Sequence, residues 1–467
     1  MSQQTDEETE NGVAQTHDEG FALNPEFVEA VCAALDTGDK GKVSQLLLKL
    51  HAADQADLLG LIGPDERRRL VQLVGKQMHP DVLSDVDEDI RDDVLDVLEP
   101  EHVAQALSEM ETDDGLHLIE DLDHGRRAKV LDLVSKGDRT ALELGLQHHV
   151  ETAGRLMQRE VVSAPEYWTV SQTLEHIRTS AHLPRRFFEV FVVDAMFHSR
   201  GTIMMSTLMR EDPDAILEDI MQPRQTLIPA TMDVEEVAYL FDQYHLISAA
   251  VIDEFDRIIG MITVDDIVGV VRQVTSEDML ALGGVSDVEA LSDSVIETTR
   301  NRFSWLFINL MTAICASLVI AFFEETIKEI VALAVLMPIV ASMGGNAGTQ
   351  TLTVAVRALA MKDLTATNAL RIVVREVIVG GVNGILFAFI MGVIGALWFG
   401  QIEIGLVLGG AMMVNMILAG LAGILIPIGL DRAGIDPAVS STVFVTTVTD
   451  IVGFFVFLGL ATLVLIG

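Results

Sequence analysis

Cysteine is almost absent from the 467-residue chain: only Cys32 and Cys315 occur. Two thiols so far apart supply neither a disulfide framework nor a zinc cluster, and they suit a reducing cytoplasm. Positive charge is also scarce. Against 69 Asp and Glu stand 31 Lys and Arg, a formal net charge of −38. That balance repels phosphate backbones and argues against nucleic acid as a partner. It suits a cationic partner, or equally a solvated surface tuned for a salty habitat. The opening "MSQQTDEETENGVAQTHDEG" has no basic region and no apolar run, so it is not a signal peptide; residues 1–20 are expected to form a disordered acidic tail. No Gly-x-x-x-x-Gly-Lys-Ser/Thr sequence is present, so no ATP hydrolysis is indicated, and the chain is not expected to be an enzyme.

Half of the residues are hydrophobic, but unevenly placed. Residues 303–467 hold nine acids and six bases, which leaves 60 acids and 25 bases, a net −35, before residue 303. An acidic soluble part therefore precedes an apolar part. Five stretches are long enough to span a bilayer, which needs about 20 apolar residues. They cover about 303–323, 330–350, 376–399, 403–430 and 438–466, and only the last holds a charge in its middle, Asp450. Lys and Arg favour the side of Arg300, Arg302, Arg357, Lys362, Arg371, Arg375 and Arg432. This bias places the soluble part in the cytoplasm and the C-terminus outside a cell inner (cytoplasmic) membrane.

Residues 21–150 read as short amphipathic helices with an internal echo. "LHAADQADLLGLIGPDERRRLVQLV" (50–74) aligns without gaps to "METDDGLHLIEDLDHGRRAKVLDLV" (110–134). Leu58, Leu59, Leu70, Val71, Leu73 and Val74 fall on Leu118, Ile119, Val130, Leu131, Leu133 and Val134. Stacked helical repeats account for this, as does chance likeness between amphipathic helices. Residues 151–275 carry a β-α-β-β-α plan twice, around "FFEVFVVDAMFHSRGTIMMSTLM" and "ISAAVIDEFDRIIGMITVDDIVGVV". This resembles a pair of cystathionine-β-synthase-type (CBS) domains, the first about 151–219 and the second about 220–275. The resemblance implies that Thr263 and Asp266 of "ITVDDI" hold an adenine nucleotide such as ATP, or else that the pair is structural only. Residues 276–302 are expected to form a mostly helical connector into the first span.

Pro338, Gly344, Gly345 and Gly348 are expected to interrupt the second span, where Asn346, Thr349 and Gln350 add polar side chains. In the fifth, Thr442, Thr446, Thr449 and Gly453 form one small polar stripe, flanked by Asp450. A lone carboxylate in hydrocarbon costs about 2.5–3.5 kcal/mol on insertion scales. No Lys, Arg or His within the spans pairs with it, which leaves a mobile cation, a proton, or a packing bond to Thr446 or a neighbouring helix.

"SMGGNAGTQ" with "VRALA", "GIDPA" and "TTVTDIVGF" are similar to the MgtE-type magnesium transporters and channels. The resemblance covers nearly the whole chain after residue 25. It implies a multi-domain membrane protein: an all-α helical-repeat N domain (21–150), an α/β CBS pair (151–275), a plug helix (276–302) and a five-helix transmembrane domain (303–467). It further implies a homodimer in the lipid bilayer, with a pore lined by Gly344, Gly345, Asn346, Thr446 and Thr449, in which Asp450 holds hydrated Mg²⁺. Cytosolic Mg²⁺ would close that pore by bridging Asp113, Asp233, Glu235, Asp266, Glu277, Asp278 and Asp436. The chain departs from the family pattern at His117, Gly269 and Val274. Two other functions fit the same residues: a proton- or sodium-coupled carrier of divalent ions such as Co²⁺ or Mn²⁺, and a membrane-tethered metal or nucleotide sensor.

Overall fold

The computed structural model describes residues 16, 17, 20, 22–180, 183–184, 186–223, 226–285, 295–365 and 367–466. Most of the expected tail over 1–20, and 286–294 of the connector, lie outside the described residues. The chain divides into two units, 1–271 and 272–467.

The first unit begins with short helices, from Pro25–Asp36 to Lys136–Gly145. Proline stands at the start of three of them, at Pro25, Pro64 and Pro100, where its missing N–H has no intrahelical partner to lose. Asn24 caps the first of these as well, and Asp39, Asp123 and Ser135 cap others, through side-chain oxygens. The two echoing segments fold alike, as Ala52–Leu61 with Pro64–Val74 and as Thr112–Glu120 with His124–Leu133. Leu58, Leu59, Leu70, Val71 and Val74 share one core with Leu118, Ile119, Val130, Leu131 and Val134. The pair Leu73 and Leu133 departs from the expected alignment: Leu73 is only partly buried and Leu133 is 51% exposed.

A recurrent arginine holds these helices together. Arg67 donates from Nε to Leu59 O (2.9 Å) and from Nη2 to Ile62 O (3.3 Å), while Nη1 meets Asp93 at 2.9 Å. Arg91 donates to Ser84 O (3.2 Å) and Val86 O (3.0 Å) and pairs with Asp121. Arg127 donates to Glu120 O (2.8 Å) and Leu122 O (3.4 Å). Each guanidinium closes carbonyls that the preceding helix leaves unpaired at its C-terminal end. Arg67 and Arg127 are equivalent in the sequence echo. Arg91 marks a third turn of the same device, outside that echo.

Residues 151–275 contain two three-stranded sheets. β1 (Ser163–Pro165) pairs parallel with β2 (Glu189–Val193), and β2 antiparallel with β3 (Ser199–Met204). β4 (Leu227–Pro229), β5 (Ser248–Ile252) and β6 (Ile258–Thr263) repeat this order. The likeness is detailed. Both hairpins shift register at the same place, Val192/Val193 and Val251/Ile252. Both turns are held by an Asp that accepts two backbone N–H bonds, Asp194 from Met196 and His198, Asp253 from Phe255 and Arg257. Both place a non-glycine residue in the left-handed region, Phe197 and Asp256. Gln158 pairs with Met261 and Gln222 with Thr202, each against a strand of the other copy. A Cβ on Gly260 would come within 2.7 Å of Gln158 O, and one on Gly201 within 2.7 Å of Gln222 O, so only glycine admits these approaches. The copies differ after the third strand. Thr263 opens the helix Val264–Leu282, whereas Met204, without a capping side chain, opens only Met205–Leu208.

Helix Val264–Leu282 begins inside the stretch expected to belong to the second CBS copy and passes the expected boundary at 275/276 unbroken. In the second unit the helices Val295–Phe322, Ala332–Ala360, Ala369–Phe399, Ile402–Arg432 and Pro437–Ala461 supply five spans long and apolar enough to cross a membrane. The second span is not interrupted at Pro338, Gly344, Gly345 or Gly348, contrary to expectation. Gly344 and Gly348 are buried against neighbouring helices, which restores the packing that glycine alone forgoes. The fourth span is the most enclosed: Ile404, Val407, Leu408 and Ala411 pack on Leu333, Leu336 and Val340 of the second and on Phe457 and Leu458 of the fifth. The first and third turn Phe303, Leu306, Val382 and Phe389 outward, as a lipid-facing helix would.

Arg67→Ala removes a buried cation that closes two carbonyls, and should lower the stability of the first unit by roughly 3 kcal/mol. Exposed Arg69→Ala should change it by less than about 0.5 kcal/mol. Denaturant unfolding of the full chain in detergent, followed by the N-domain signal, checks both.

Candidate functional site

Two groups of carboxylates stand in the first and second units, the first built mainly by helix starts and the second joining a helix start, Asp436, to the last turns of Val264–Leu282. In the first unit the helix Thr112–Glu120 opens "TDD", which aims acids at its own positive end. Asp113 there is 4% exposed, faces Asp266 within hydrogen-bond reach, and has one oxygen, Oδ1, without a partner. Asp266 is the third helical residue after Thr263. It accepts the Thr263 backbone N–H at 3.1 Å and the hydroxyl at 2.9 Å, and Asp265 contacts the same hydroxyl. This is half of a capping box: Asp266 reaches back to the Thr263 N–H, while the Thr263 hydroxyl donates to the acids. Beside it lies a cavity of about 940 Å³, lined by Asp81, Asp85, Glu109, Glu111, Asp114, Asp265 and Asp266, with Gln158 and Thr263. Arg186, His51 and His79 are the basic groups on its wall.

Burial and then mutual repulsion raise the affinity of these acids for protons. Asp113 is held well above the ordinary carboxylate range by burial and by Asp266, Asp114 and Glu111. Asp114 is pushed up to about 7 by burial, Asp266 and Glu111. Glu111 and Asp266 are raised as well, burial again leading. Gln158 Oε1 and Glu160 Oε2 are further buried oxygens without a partner. Such a wall suits a cation. Thr263 and Asp266 do line the cavity as a nucleotide site would require, but the surrounding acids oppose phosphate unless cations accompany it. Among the described residues no three Asp, Glu, His or Cys side chains converge to ligate an ion directly. The acids instead suit an ion that keeps its waters, as Mg²⁺ usually does. Asp233 and Glu235 open a different helix, Val234–Tyr244, which Asp233 caps at 2.9 Å, and neither lines the cavity.

In the second unit Asp278 stands close to Asp436 and Glu277, and burial followed by these two charges raises its pKa. Asp436 caps the fifth span by accepting Ala438 N–H at 2.7 Å. The same helix end is docked on the bundle. Ala281 and Leu282 pack with Leu352 and Val356 of the second span and Ala438 and Val445 of the fifth. Thr442 Oγ1 donates to Leu282 O at 3.3 Å.

Asp450 is half-buried, with no charged group near it among the described residues. The expected stripe beside it divides. Thr449 is fully buried and donates to Thr446 O at 3.0 Å; Thr446 is half-buried and donates to Thr442 O at 2.9 Å. Both hydroxyl protons are therefore turned back onto their own helix. The second span divides likewise. Gly344 is buried in a helix seam, Asn346 is exposed, and Gly345 has open space beside it.

Asn415, Glu111 and Asp114 are absent from the sequence-derived set. Asn415 is a buried amide in an otherwise apolar span, which is itself a signal in hydrocarbon. Glu111 and Asp114 flank Asp113 in "METDDG", where only the fold distinguishes a desolvated acid from a solvated one.

Residues 337–460 match the family model MgtE, a divalent cation transporter; 50–151 match the MgtE intracellular N domain, and 217–273 the CBS domain. The magnesium transporter MgtE of Enterococcus faecalis is 33% identical over 318 residues, 68% of this chain and 70% of that one. Its namesake in Bacillus subtilis is 25% identical over 441 residues, 94% and 97% of the two chains. That of Thermus thermophilus is 29% identical over 438 residues, 92% and 97%.

The raised acids fix a pH dependence. A carboxylate whose folded pKa exceeds its unfolded value favours folding at low pH and loses that contribution as pH rises through the folded pKa. With Asp114 at about 7, and without divalent ions, the first unit should melt at a lower temperature at pH 8 than at pH 6. Asp113→Asn should flatten that slope. Thermal unfolding of the full chain in chelator, scanned against pH, measures both.

Proposed function

The chain belongs to the MgtE family of divalent cation transporters, and from that footing we propose that it carries Mg²⁺ across a cell's inner membrane, down its electrochemical gradient. The observation that carries the reading is Asp450, a half-buried carboxylate in a spanning helix with no charged neighbour among the described residues. A carboxylate kept in such a place answers to something mobile. Mg²⁺ takes hard oxygen ligands and gives up its water reluctantly. Two copies of Asp450, one from each subunit of a homodimer, would hold a hydrated ion through its waters. Two charges moving inward gain about 4.6 kcal/mol across 100 mV, so no ATP hydrolysis is needed. Lys and Arg placement favours cytoplasmic N-terminal domains and an outer C-terminus.

Gating follows from the acids. Without cations, Asp113, Asp114, Glu111 and Asp266 repel, as do Asp278, Glu277 and Asp436. Cytosolic Mg²⁺ would relieve both groups and favour the state in which Ala281 and Leu282 sit against the second and fifth spans. The ion shifts the balance only if it binds that closed state better than the open one. Asp233 and Glu235 remain candidates for a further regulatory site. Mg²⁺ bound with an adenine nucleotide at Thr263 and Asp266 is a second occupant of the acid-lined cavity, since it brings its own neutralising charge.

Asp450→Ala should abolish Mg²⁺ uptake into liposomes holding the purified protein, with folding unchanged by size-exclusion profile. Uptake at the unsubstituted rate would favour the tethered sensor instead, and uptake that tracks a proton or sodium gradient would favour the coupled carrier. Millimolar Mg²⁺ should protect the 276–302 connector from proteolysis relative to micromolar Mg²⁺. Equal cleavage at both would rule out closure by carboxylate bridging.

A further inference from the structure

Asn415 lies midway along the fourth span and is fully buried. Its amide nitrogen donates to Val340 O of the second span at 2.8 Å. Turning the amide over would set two oxygens against each other, so this bond fixes its orientation. Its Oδ1 then has no partner among the described residues. Leucine would fill the same seam without stranding a polar atom, and one interhelical hydrogen bond does not offset that loss. Packing stability alone therefore does not account for an amide here.

The surroundings supply an account. Gly344 follows Val340 by one turn of the second span, and a Cβ on it would overlap the Asn415 amide nitrogen. Gly453 of the fifth span lies against the same group, where a Cβ would come within 2.9 Å of that nitrogen. One side chain thus occupies the space left open by two glycines on two different helices. Gly453 stands one turn beyond Asp450, and Gly344 adjoins Gly345 and Asn346.

We propose that Asn415 is a positioning residue of the ion path, setting the separation of the second and fifth spans at the depth of Asp450. The inference rests on the reading of Asp450 as the residue that meets the ion. Asn415 itself touches no ion: it acts through Gly344 and Gly453.

The test uses the full-length protein in liposomes, with Mg²⁺ and Co²⁺ uptake measured separately and normalised to monodisperse protein. Gly344→Ala should lower maximal Mg²⁺ uptake on the order of tenfold, because a displacement of about an ångström is that consequential in a preorganised site. Adding Asn415→Ala to Gly344→Ala should restore most of it, since the added methyl then has room. Asn415→Ala alone should change the ratio of Mg²⁺ to Co²⁺ uptake, which mere loss of folded protein cannot do. If Asn415→Ala yields no folded protein, Asn415→Ser, shorter but still a donor, is measured for the same ratio. An unchanged ratio, or a double variant no better than Gly344→Ala, overturns the proposal. Asp450→Ala in the same vesicles separates the two ideas. Full uptake there overturns the reading of Asp450 and the positioning role with it. Abolished uptake with indifferent Asn415 variants overturns only the positioning role.

Discussion

Negative charge without a fixed counter-charge is the constraint on which both units turn. The chain has fewer than half as many bases as acids, and its buried bases are already engaged. Arg67, Arg91 and Arg127 spend their donors on helix-end carbonyls and on single carboxylates. Arg155 is committed to Glu120 and Gly145 O. What remains around Asp113 and Asp266 is a set of acids desolvated together, with Arg186 and two histidines as the basic groups on the cavity wall among the described residues. The same shortage recurs at Asp278 and at Asp450. A fold that buries acids and uses its arginines elsewhere depends for neutrality on protons or dissolved cations.

Much of this organisation was legible in the sequence because it rests on periodicity and charge. Uncharged runs of span length announced the five long helices, and two similar apolar patterns announced the repeated sheet unit. Asp450 was legible for the same reason, since one charge in a long apolar run needs no structure to be noticed. Thr263 and Asp266 were found through a motif, yet the bonds from Thr263 to Asp266 appear only when backbone and side chain are placed together. Glu111 and Asp114 were not legible. Their neighbours in the chain are mostly polar, and their unusual state comes first from burial and then from Asp266, more than a hundred residues away.

The second span shows how sequence reasoning about glycine misleads. Four helix-weakening residues within eleven positions suggest a break, and in water they would favour one. In the bundle Gly344 and Gly348 are the places where other helices come nearest, so the continuous helix is stabilised from outside itself. The enclosed fourth span supplies much of that support, which gives it a structural part in the bundle although no charge or sequence motif pointed to it.

The two CBS copies share register shifts, turn geometry and cross-strand glycines, and then part at one residue, Thr263 against Met204. That difference makes the module an instrument with two similar receiving faces and one output shaft. The third strand of the first copy leads only into Met205–Leu208, whereas that of its twin leads into Val264–Leu282. Under the proposed gating, duplication would give the pair a single summing point, since inputs to either copy would leave by the same helix.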